Sequence, residues 1–313
     1  MFIFYFQHNI AFMTSDTHSL IQHHPRDFAS QRYVYPVVSR RSRGISVGVN
    51  LSPTGLCNFR CVYCQVIGEN RLSTGCCPAD SYDVKQTTVI DLDVLENELR
   101  QTLAQAVGGE LFKTDLFRNT SPSLRRINDI AFSGNGEPTL SPQFADAVRT
   151  VVRVLDEPGN RDIKPVLITN ATVLQKSDVA DAVKLMINGG GEVWAKLDAG
   201  TPTYYKQVDR SRVPFSTIID NLTQATRRHP IVIQTMLLNI HEEPTPESEI
   251  RAYIERLNEM TRQGGRIKLV QLYTSVRGTA EPWVSPLSNS QLDGFADRVR
   301  NETQLPVEVF YGN

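Results

Sequence analysis

Three of the five cysteines, Cys57, Cys61 and Cys64, fall in the stretch Cys57-Asn58-Phe59-Arg60-Cys61-Val62-Tyr63-Cys64, with C-x3-C-x2-C spacing. Thiolates are soft ligands that suit iron–sulfur clusters and zinc. Three of them on one short loop can hold three corners of a cubane [4Fe–4S] cluster, which leaves the fourth iron open to a substrate or cofactor. Zinc is the alternative, but a closed zinc site takes four ligands, typically as two C-x2-4-C pairs or with added histidines. No second pair with that spacing occurs in the chain. Cys76 and Cys77 are adjacent and too few for a second three-cysteine set, so they read as a partly exposed pair with no ligand role.

A second chemical signal is Gly134-Asn135-Gly136-Glu137-Pro138. Glycines let backbone approach a ligand closely, and a carboxylate beside them can accept hydrogen bonds from an ammonium group. Alone, the same residues read as a glycine-rich turn. Three further sets of polar residues follow apolar runs that read as strands. Thr169-Asn170 closes one run, and Lys196 and Asp198 flank the end of the next. Alternation along a strand points Lys196 and Asp198 the same way, either as ligand contacts or as a buried ion pair. Gln234, Gln271 and Tyr273 lie on later strand patterns and are candidates to line a substrate cavity.

The cysteine spacing and the Gly134–Pro138 loop, in this order, resemble the signatures of the radical S-adenosylmethionine (radical SAM) superfamily. In that family the open iron binds the amino and carboxylate groups of S-adenosylmethionine (SAM), and one electron from the cluster cleaves SAM to a 5′-deoxyadenosyl radical. The resemblance implies Cys57, Cys61 and Cys64 as iron ligands. It implies that Gly134, Asn135, Gly136, Glu137 and Pro138 match the family's GGEP motif, which contacts the SAM amino group, with Asn135 in place of the commoner second glycine. Thr169-Asn170 resembles the family's TNG turn, with Ala171 where glycine is usual. By the same resemblance Tyr63 packs near the adenine, Lys196 pairs the SAM carboxylate and Asp198 accepts from ribose hydroxyls. The implied cofactors are a [4Fe–4S] cluster and SAM, and the implied partner is an external electron donor of flavodoxin or ferredoxin type. The single cluster and the strand-end residues resemble radical SAM oxidoreductases related to the wybutosine-type tRNA-modifying branch, but members of that branch carry extra cysteines for a second cluster and RNA-binding features that this chain does not visibly have.

These residues need a scaffold that brings loop ends together, and the remaining pattern supplies one. Ile45, Val47, Val49 and Leu51 alternate with polar or small residues, a strand signal that ends at the cysteine loop. A helix pattern follows at Leu92, Leu95, Leu99 and Leu103, closed by Gly108-Gly109. From Ile127 strands and helices alternate. Strand patterns run over 127–133, 166–169, 192–197, 231–238 and 266–274, with a short terminal one at 305–311. Ser141-Pro142 reads as an N-cap and N1 proline for the helix carrying Phe144, Val148, Val151 and Leu155. Alternating strands and helices imply a parallel sheet, whose strand ends carry the sites of such folds. Six βα units, fewer than the eight of a closed barrel, match the radical SAM core. The expected fold class is therefore α/β, a partial (β/α)6 TIM-like barrel. The expected division is an irregular extension over 1–44, a core over 45–275, and a C-terminal helix and short strand packed on it over 276–313.

With 313 residues, 40% hydrophobic and 21% charged, the chain can bury a sizeable core. A formal net charge of −1 excludes a global basic field for nucleic acid or membrane. Basic clusters at Arg40-Arg41-Ser42-Arg43, Arg125-Arg126 and Arg227-Arg228-His229 read as solvated surface, with RNA binding as the alternative. An odd, bunched cysteine set argues for a reducing compartment, and no apolar run reaches the roughly 18 residues of a membrane span. The expectation is a cytoplasmic protein whose first 13 residues are a frayed extension dispensable for the cluster. The expected activity is that of a radical SAM, oxidoreductase-type enzyme. The alternatives are a tRNA-modifying radical SAM enzyme, an activating enzyme that places a glycyl radical on a partner protein, and a metal-binding module without catalysis.

Overall fold

The chain begins its sheet with a hairpin, β1 (Val34–Ser39) and β2 (Gly44–Val49), paired antiparallel. This computed structural model describes residues 28, 30–66 and 89–312. The expectations for the first 13 residues and for Cys76 and Cys77 lie outside the described residues. After β2 come α1 (Leu92–Val107), β3 (Ile127–Phe132), α2 (Phe144–Leu155), β4 (Lys164–Thr169) and α3 (Ser177–Asn188). Then follow β5 (Glu192–Lys196), α4 (Pro202–Val208), α5 (Phe215–Arg228), β6 (Ile231–Met236), β7 (Leu238–Ile240) and α6 (Glu247–Arg262). The last elements are β8 (Ile267–Tyr273), β9 (Val284–Pro286), α7 (Asn289–Thr303) and β10 (Val307–Phe310).

Eight strands form one curled sheet in the order β1-β2-β3-β4-β5-β6-β8-β10, parallel from β2 onward. β2, β3, β4, β5, β6 and β8 are each followed by helix, which makes the six units of the expected partial barrel. The period-two alternation sorts side chains to its two faces. Ile130 and Phe132 face the helices, where the Phe132 ring meets Phe144 edge-on at 5.7 Å. Ala131, Val166, Trp194 and Val232 face inward and, with Ile168 and Leu269, form a separate apolar plug. Toward the C-terminal strand ends the interior turns polar, with Lys196, Gln234 and Gln271 side by side in register. Among the described residues no helix is long and apolar enough to cross a membrane.

Several local expectations are corrected. Residues within 1–44 read as irregular, yet Val34–Ser39 form a strand. Pro36 masks the pattern, but β1 is the sheet's edge, where a missing N–H costs no ladder bond. Tyr35 uses the space over Gly48, where a Cβ would stand 2.2 Å from the Tyr35 ring. Ser141-Pro142 does not cap α2. Gln143 occupies the N-cap position, its side chain drawn away to bond both backbone groups of Ile90, while Ser141 closes the 3-10 turn Pro138–Leu140. Three short elements carried no readable period: α4, β7 and β9.

Candidate functional site

The cysteine loop leaves the C-terminal end of β2 and crosses the barrel mouth. The three short elements clamp it there. Arg60 N–H donates to the Asp209 carbonyl and Val62 N–H to that of Val208, each at 2.9 Å, so the loop runs along the end of α4. Val62 is fully buried among Val208, Leu238, Ile240 and Val284 from α4, β7 and β9. Phe59 meets Tyr205 edge-on with centroids 5.6 Å apart. These contacts fix the backbone on both sides of Cys61 with no ligand needed.

Cys57, Cys61 and Cys64 are thiols, each half-buried. Cys57 Sγ accepts from Phe59 N–H at 3.4 Å and from Asn170 Nδ2 at 3.9 Å. The Cys61 thiol donates to Asp209 Oδ1 at 3.5 Å, and burial together with that carboxylate pushes its pKa up. Among the described residues no three Cys, His, Asp or Glu side chains converge on one ion position. A single zinc ion needs such convergence, whereas the thiolates of a cubane bind separate irons and stand apart. Three soft thiols on one short loop are a donor set that suits an iron–sulfur cluster.

The Gly134–Pro138 loop follows β3 and packs against the cysteine loop. Gly134 has φ of +128°, a conformation that strains any side chain. Gly136 approaches so closely that a Cβ would lie 2.0 Å from the Leu56 carbonyl oxygen. Glu137 N–H donates to that same carbonyl at 3.1 Å, one residue before Cys57. Asn135 keeps a negative φ, so its place in the motif needs no glycine. It accepts its fit from its neighbours, with N–H to Asn50 Oδ1 at 3.3 Å and Nδ2 to the Pro53 carbonyl at 3.4 Å.

Glu137 itself is buried, and both oxygens of its carboxylate are bonded within the protein. Oε1 accepts from Thr139 N–H at 3.1 Å, Thr139 Oγ1 at 2.6 Å and Thr169 Oγ1 at 2.7 Å; Oε2 accepts from Asn170 N–H at 2.7 Å. Burial pushes its pKa up against the pull of these donors. Three of these bonds fall on Oε1 and one on Oε2, so most of the acceptor capacity of the carboxylate is committed inside the protein. Glu137 ties the β3 loop to the end of β4.

Asn170 joins the three motifs. Its N–H bonds Glu137, its Nδ2 reaches Asn58 Oδ1 at 2.7 Å and Cys57 Sγ at 3.9 Å, and its Oδ1 accepts from Thr172 N–H and Oγ1 at 3.1 and 2.8 Å. Ala171, where the resembling turn has glycine, is fully buried with φ of +65°. Asn221 Nδ2 holds that turn through the carbonyls of Ala171 and Thr172, at 2.9 and 3.0 Å. Left-handed backbone costs a non-glycine residue roughly 1–2 kcal/mol. Ala171→Gly removes that strain, loses a buried methyl of about 0.8 kcal/mol and adds unfolded-chain entropy of about 0.4–1 kcal/mol. We expect it to be neutral within about 1 kcal/mol in denaturant unfolding. Ala171→Val adds a branched Cβ at a full site, and its expected loss is about 1–3 kcal/mol from overpacking alone. A Val variant as stable as wild type contradicts the left-handed turn.

Lys196 and Asp198 do face the same way, as a buried pair with Nζ and Oδ1 2.9 Å apart. Asp198 also accepts from Met236 N–H at 2.7 Å and from the Tyr63 hydroxyl. Lys196 donates to Tyr273 Oη at 2.6 Å and lies 5.0 and 4.8 Å from the Tyr63 and Tyr273 ring centroids. Burial works against the ammonium, but Asp198 and Tyr273 outweigh it and hold the Lys196 pKa above its ordinary value. Gln234 donates to Gln271 at 2.7 Å, deeper in the interior. The structure thus gathers Tyr63, Lys196, Asp198 and Tyr273 into one network beside the cysteine loop. Asp209, Thr139 and Asn221 carried no sequence signal, because their roles are contacts with elements distant in the chain; Asn58 lay inside the cysteine motif.

No protein-family model matches the chain. Among curated proteins it is 24% identical to GTPase Obg of Brachyspira hyodysenteriae over 286 residues, 90% of this chain and 35% of that protein. It is 26% identical to a UPF0026 protein of Helicobacter pylori over 204 residues, 65% of this chain and 53% of that one. The chain thus spans about a third and about half of these two relatives. It contains no G-x-x-x-x-G-K-[ST] phosphate loop. Among solved structures it is similar to TYW1 with a lysine-pyruvate adduct bound, with a TM-score of 0.52 and 13% identity over 83% of this chain and 74% of that one. This likeness is one of fold. The fold is an α/β partial barrel with a curled eight-stranded sheet, as in TYW1.

Proposed function

We propose that this chain is a radical SAM enzyme in which Cys57, Cys61 and Cys64 hold a [4Fe–4S] cluster. The observation that carries this reading is Asn170, which binds the cysteine loop and the Gly134–Pro138 loop into one hydrogen-bonded unit at the barrel mouth. A zinc or iron–sulfur interaction module has no use for such a coupled second loop. When bound, the cluster supplies the electron that cleaves SAM to methionine and a 5′-deoxyadenosyl radical able to take hydrogen from an unactivated C–H bond.

The chain's own residues position and shield. Gly134 and Gly136 bring backbone within reach of a SAM ammonium, and Glu137 holds that backbone in place. Tyr63 lies beside Cys64 with its hydroxyl fixed on Asp198, so its ring is oriented as a wall of the SAM site. Lys196, kept protonated by Asp198, presents a positive charge for a carboxylate. The apolar plug around Trp194 closes the barrel floor and limits entry of water to the mouth. The partner this chemistry needs is an external reductant of flavodoxin or ferredoxin type.

The likeness to TYW1 favours a tRNA nucleotide as substrate. The test is anaerobic reconstitution followed by reduction in the presence of SAM. The expected products are methionine and 5′-deoxyadenosine, with deuterium passing from labelled tRNA into the 5′-deoxyadenosine. A protein that binds its full iron yet leaves SAM intact overturns the reading.

A further inference from the structure

We propose that His241, stacked on Trp283 at the rim of the barrel mouth, is a platform on which an unpaired base of the RNA substrate stacks. This rests on the function proposed above in taking the substrate to be RNA. β7 and β9 pair antiparallel as a separate two-stranded ribbon, and His241 opens the turn that follows β7. Its N–H donates to the Trp283 carbonyl at 2.9 Å, and the two rings lie stacked, 11° from parallel with centroids 4.7 Å apart. Arg210, just past α4, places its guanidinium carbon 5.4 Å from the centre of the Trp283 ring and pairs with Glu281.

The turn that carries His241 is strained. Ile240 N–H donates to the Glu243 carbonyl at 2.8 Å and Glu243 N–H to that of Ile240 at 3.1 Å, which leaves His241 and Glu242 as a two-residue loop. Both have positive φ, +52° and +68°. Such loops favour Asn-Gly or Asp-Gly, because glycine and short polar side chains enter left-handed backbone most readily. An imidazole ring followed by a long carboxylate does so less well. Both residues are exposed, so burial does not offset the strain. What the turn achieves is to lay the imidazole flat on Trp283. Strain kept at an exposed position points to a contact with something outside the chain.

The stack is continuous with the mouth by which a substrate reaches the cysteine loop. Trp283 is half-buried on the small core of Val62, Val208, Leu238, Ile240 and Val284, and Tyr63 packs on the same core. Glu281 N–H donates to the Val62 carbonyl at 3.2 Å, so the chain leading into Trp283 is bonded to the cysteine loop itself. Trp283 covers one face of the imidazole while His241 as a whole is exposed, so the other face is turned to solvent. An aromatic face of this kind takes a splayed-out base of single-stranded RNA, since every base has a π face of its own. The neighbours select a base over a phosphate. Glu242 and Glu243 are exposed beside the ring, and Arg210 is already paired with Glu281. The platform thus supplies stacking area in place of charge, and its contribution should depend little on salt.

The full chain, reconstituted, is titrated with a short single-stranded RNA, an abasic sugar–phosphate strand of the same length and a duplex RNA. The proteins are wild type, His241→Asn, His241→Phe and Trp283→Leu. Asparagine accepts the positive φ and removes the ring, whereas phenylalanine keeps a ring face. His241→Asn should unfold at no lower temperature than wild type, yet bind the single-stranded RNA roughly five- to a hundredfold more weakly, the loss expected for one stacked base. His241→Phe should bind close to wild type. The loss in His241→Asn should be the same at low and high salt, and absent with the abasic strand and the duplex, whose bases are missing or stacked within the helix. Trp283→Leu fills the apolar place without a ring face and carries the test if His241→Asn fails to fold. Equal binding of single-stranded RNA by wild type, His241→Asn and Trp283→Leu overturns the site, and so does an equal loss with the abasic strand. SAM cleavage is measured on the same preparations. RNA binding weakened as expected with no SAM cleaved counts against the radical reading alone, and SAM cleavage with RNA binding that His241→Asn leaves intact counts against this site alone.

Discussion

Cys57→Ala, Cys61→Ala and Cys64→Ala each lose nearly all iron and sulfide after anaerobic reconstitution, whereas Cys76→Ala and Cys77→Ala retain the wild-type content. The three first thiols share one clamped loop at the barrel mouth, and a cluster held by three protein ligands cannot spare one. The loop itself should survive these changes, because the Arg60 and Val62 backbone bonds and the burial of Val62 do not depend on sulfur. Elemental analysis with visible absorbance decides between metals as well as ligands. Iron with an inorganic-sulfide match supports the cluster, and zinc at one equivalent refutes it. If Cys76→Ala loses iron as fully as Cys61→Ala, the ligand set is wrong.

Glu137→Gln should lower stability before any ligand is added, and weaken SAM binding as a consequence. Fixed backbone donors lie on both carboxylate oxygens, Thr139 N–H on Oε1 and Asn170 N–H on Oε2. Hydroxyls can rotate to suit an amide, but these N–H groups cannot. Whichever way the glutamine amide turns, its NH2 faces one of them and leaves a buried donor unpaired, at a cost of roughly 1–3 kcal/mol. The loop then loses its tie to β4, and the glycine backbone that approaches SAM is displaced. Weakening of SAM binding by about tenfold or more follows from a loss above about 1.4 kcal/mol, with iron content unchanged. Denaturant unfolding and SAM titration on the same reconstituted samples separate the two effects. Unchanged stability rejects the Glu137 hydrogen-bond arrangement. Lower stability with unchanged SAM affinity removes the Gly134–Pro138 loop from the cofactor site.

C-x3-C-x2-C places three thiols on one loop whatever the rest of the chain does, and alternation at Ile45, Val47 and Val49 or at Lys196 and Asp198 fixes which side chains share a face. Regular βα alternation from Ile127 onward restricts the fold to a parallel sheet with its loop ends on one side. All of these are local properties, with a reach of a few residues, and the sequence alone determined them.

What only the tertiary structure decided is how those parts are held. The carboxylate of Glu137 accepts from the backbone N–H of Asn170, 33 residues on. Asp209 reaches Cys61 across 148 positions, and Arg40 reaches Tyr311 across 271. Glycine is the commoner residue at both 135 and 171, yet the positive φ falls on Ala171 and not on Asn135. Hydrophobic periodicity reports that a residue is buried, but not which distant donor or charge meets it there. Short elements such as α4, β7 and β9 are too brief to show a period at all, yet they clamp the cysteine loop. The chain folds so that distant polar groups satisfy one another, and the positions of those partners exist only once the sheet has curled.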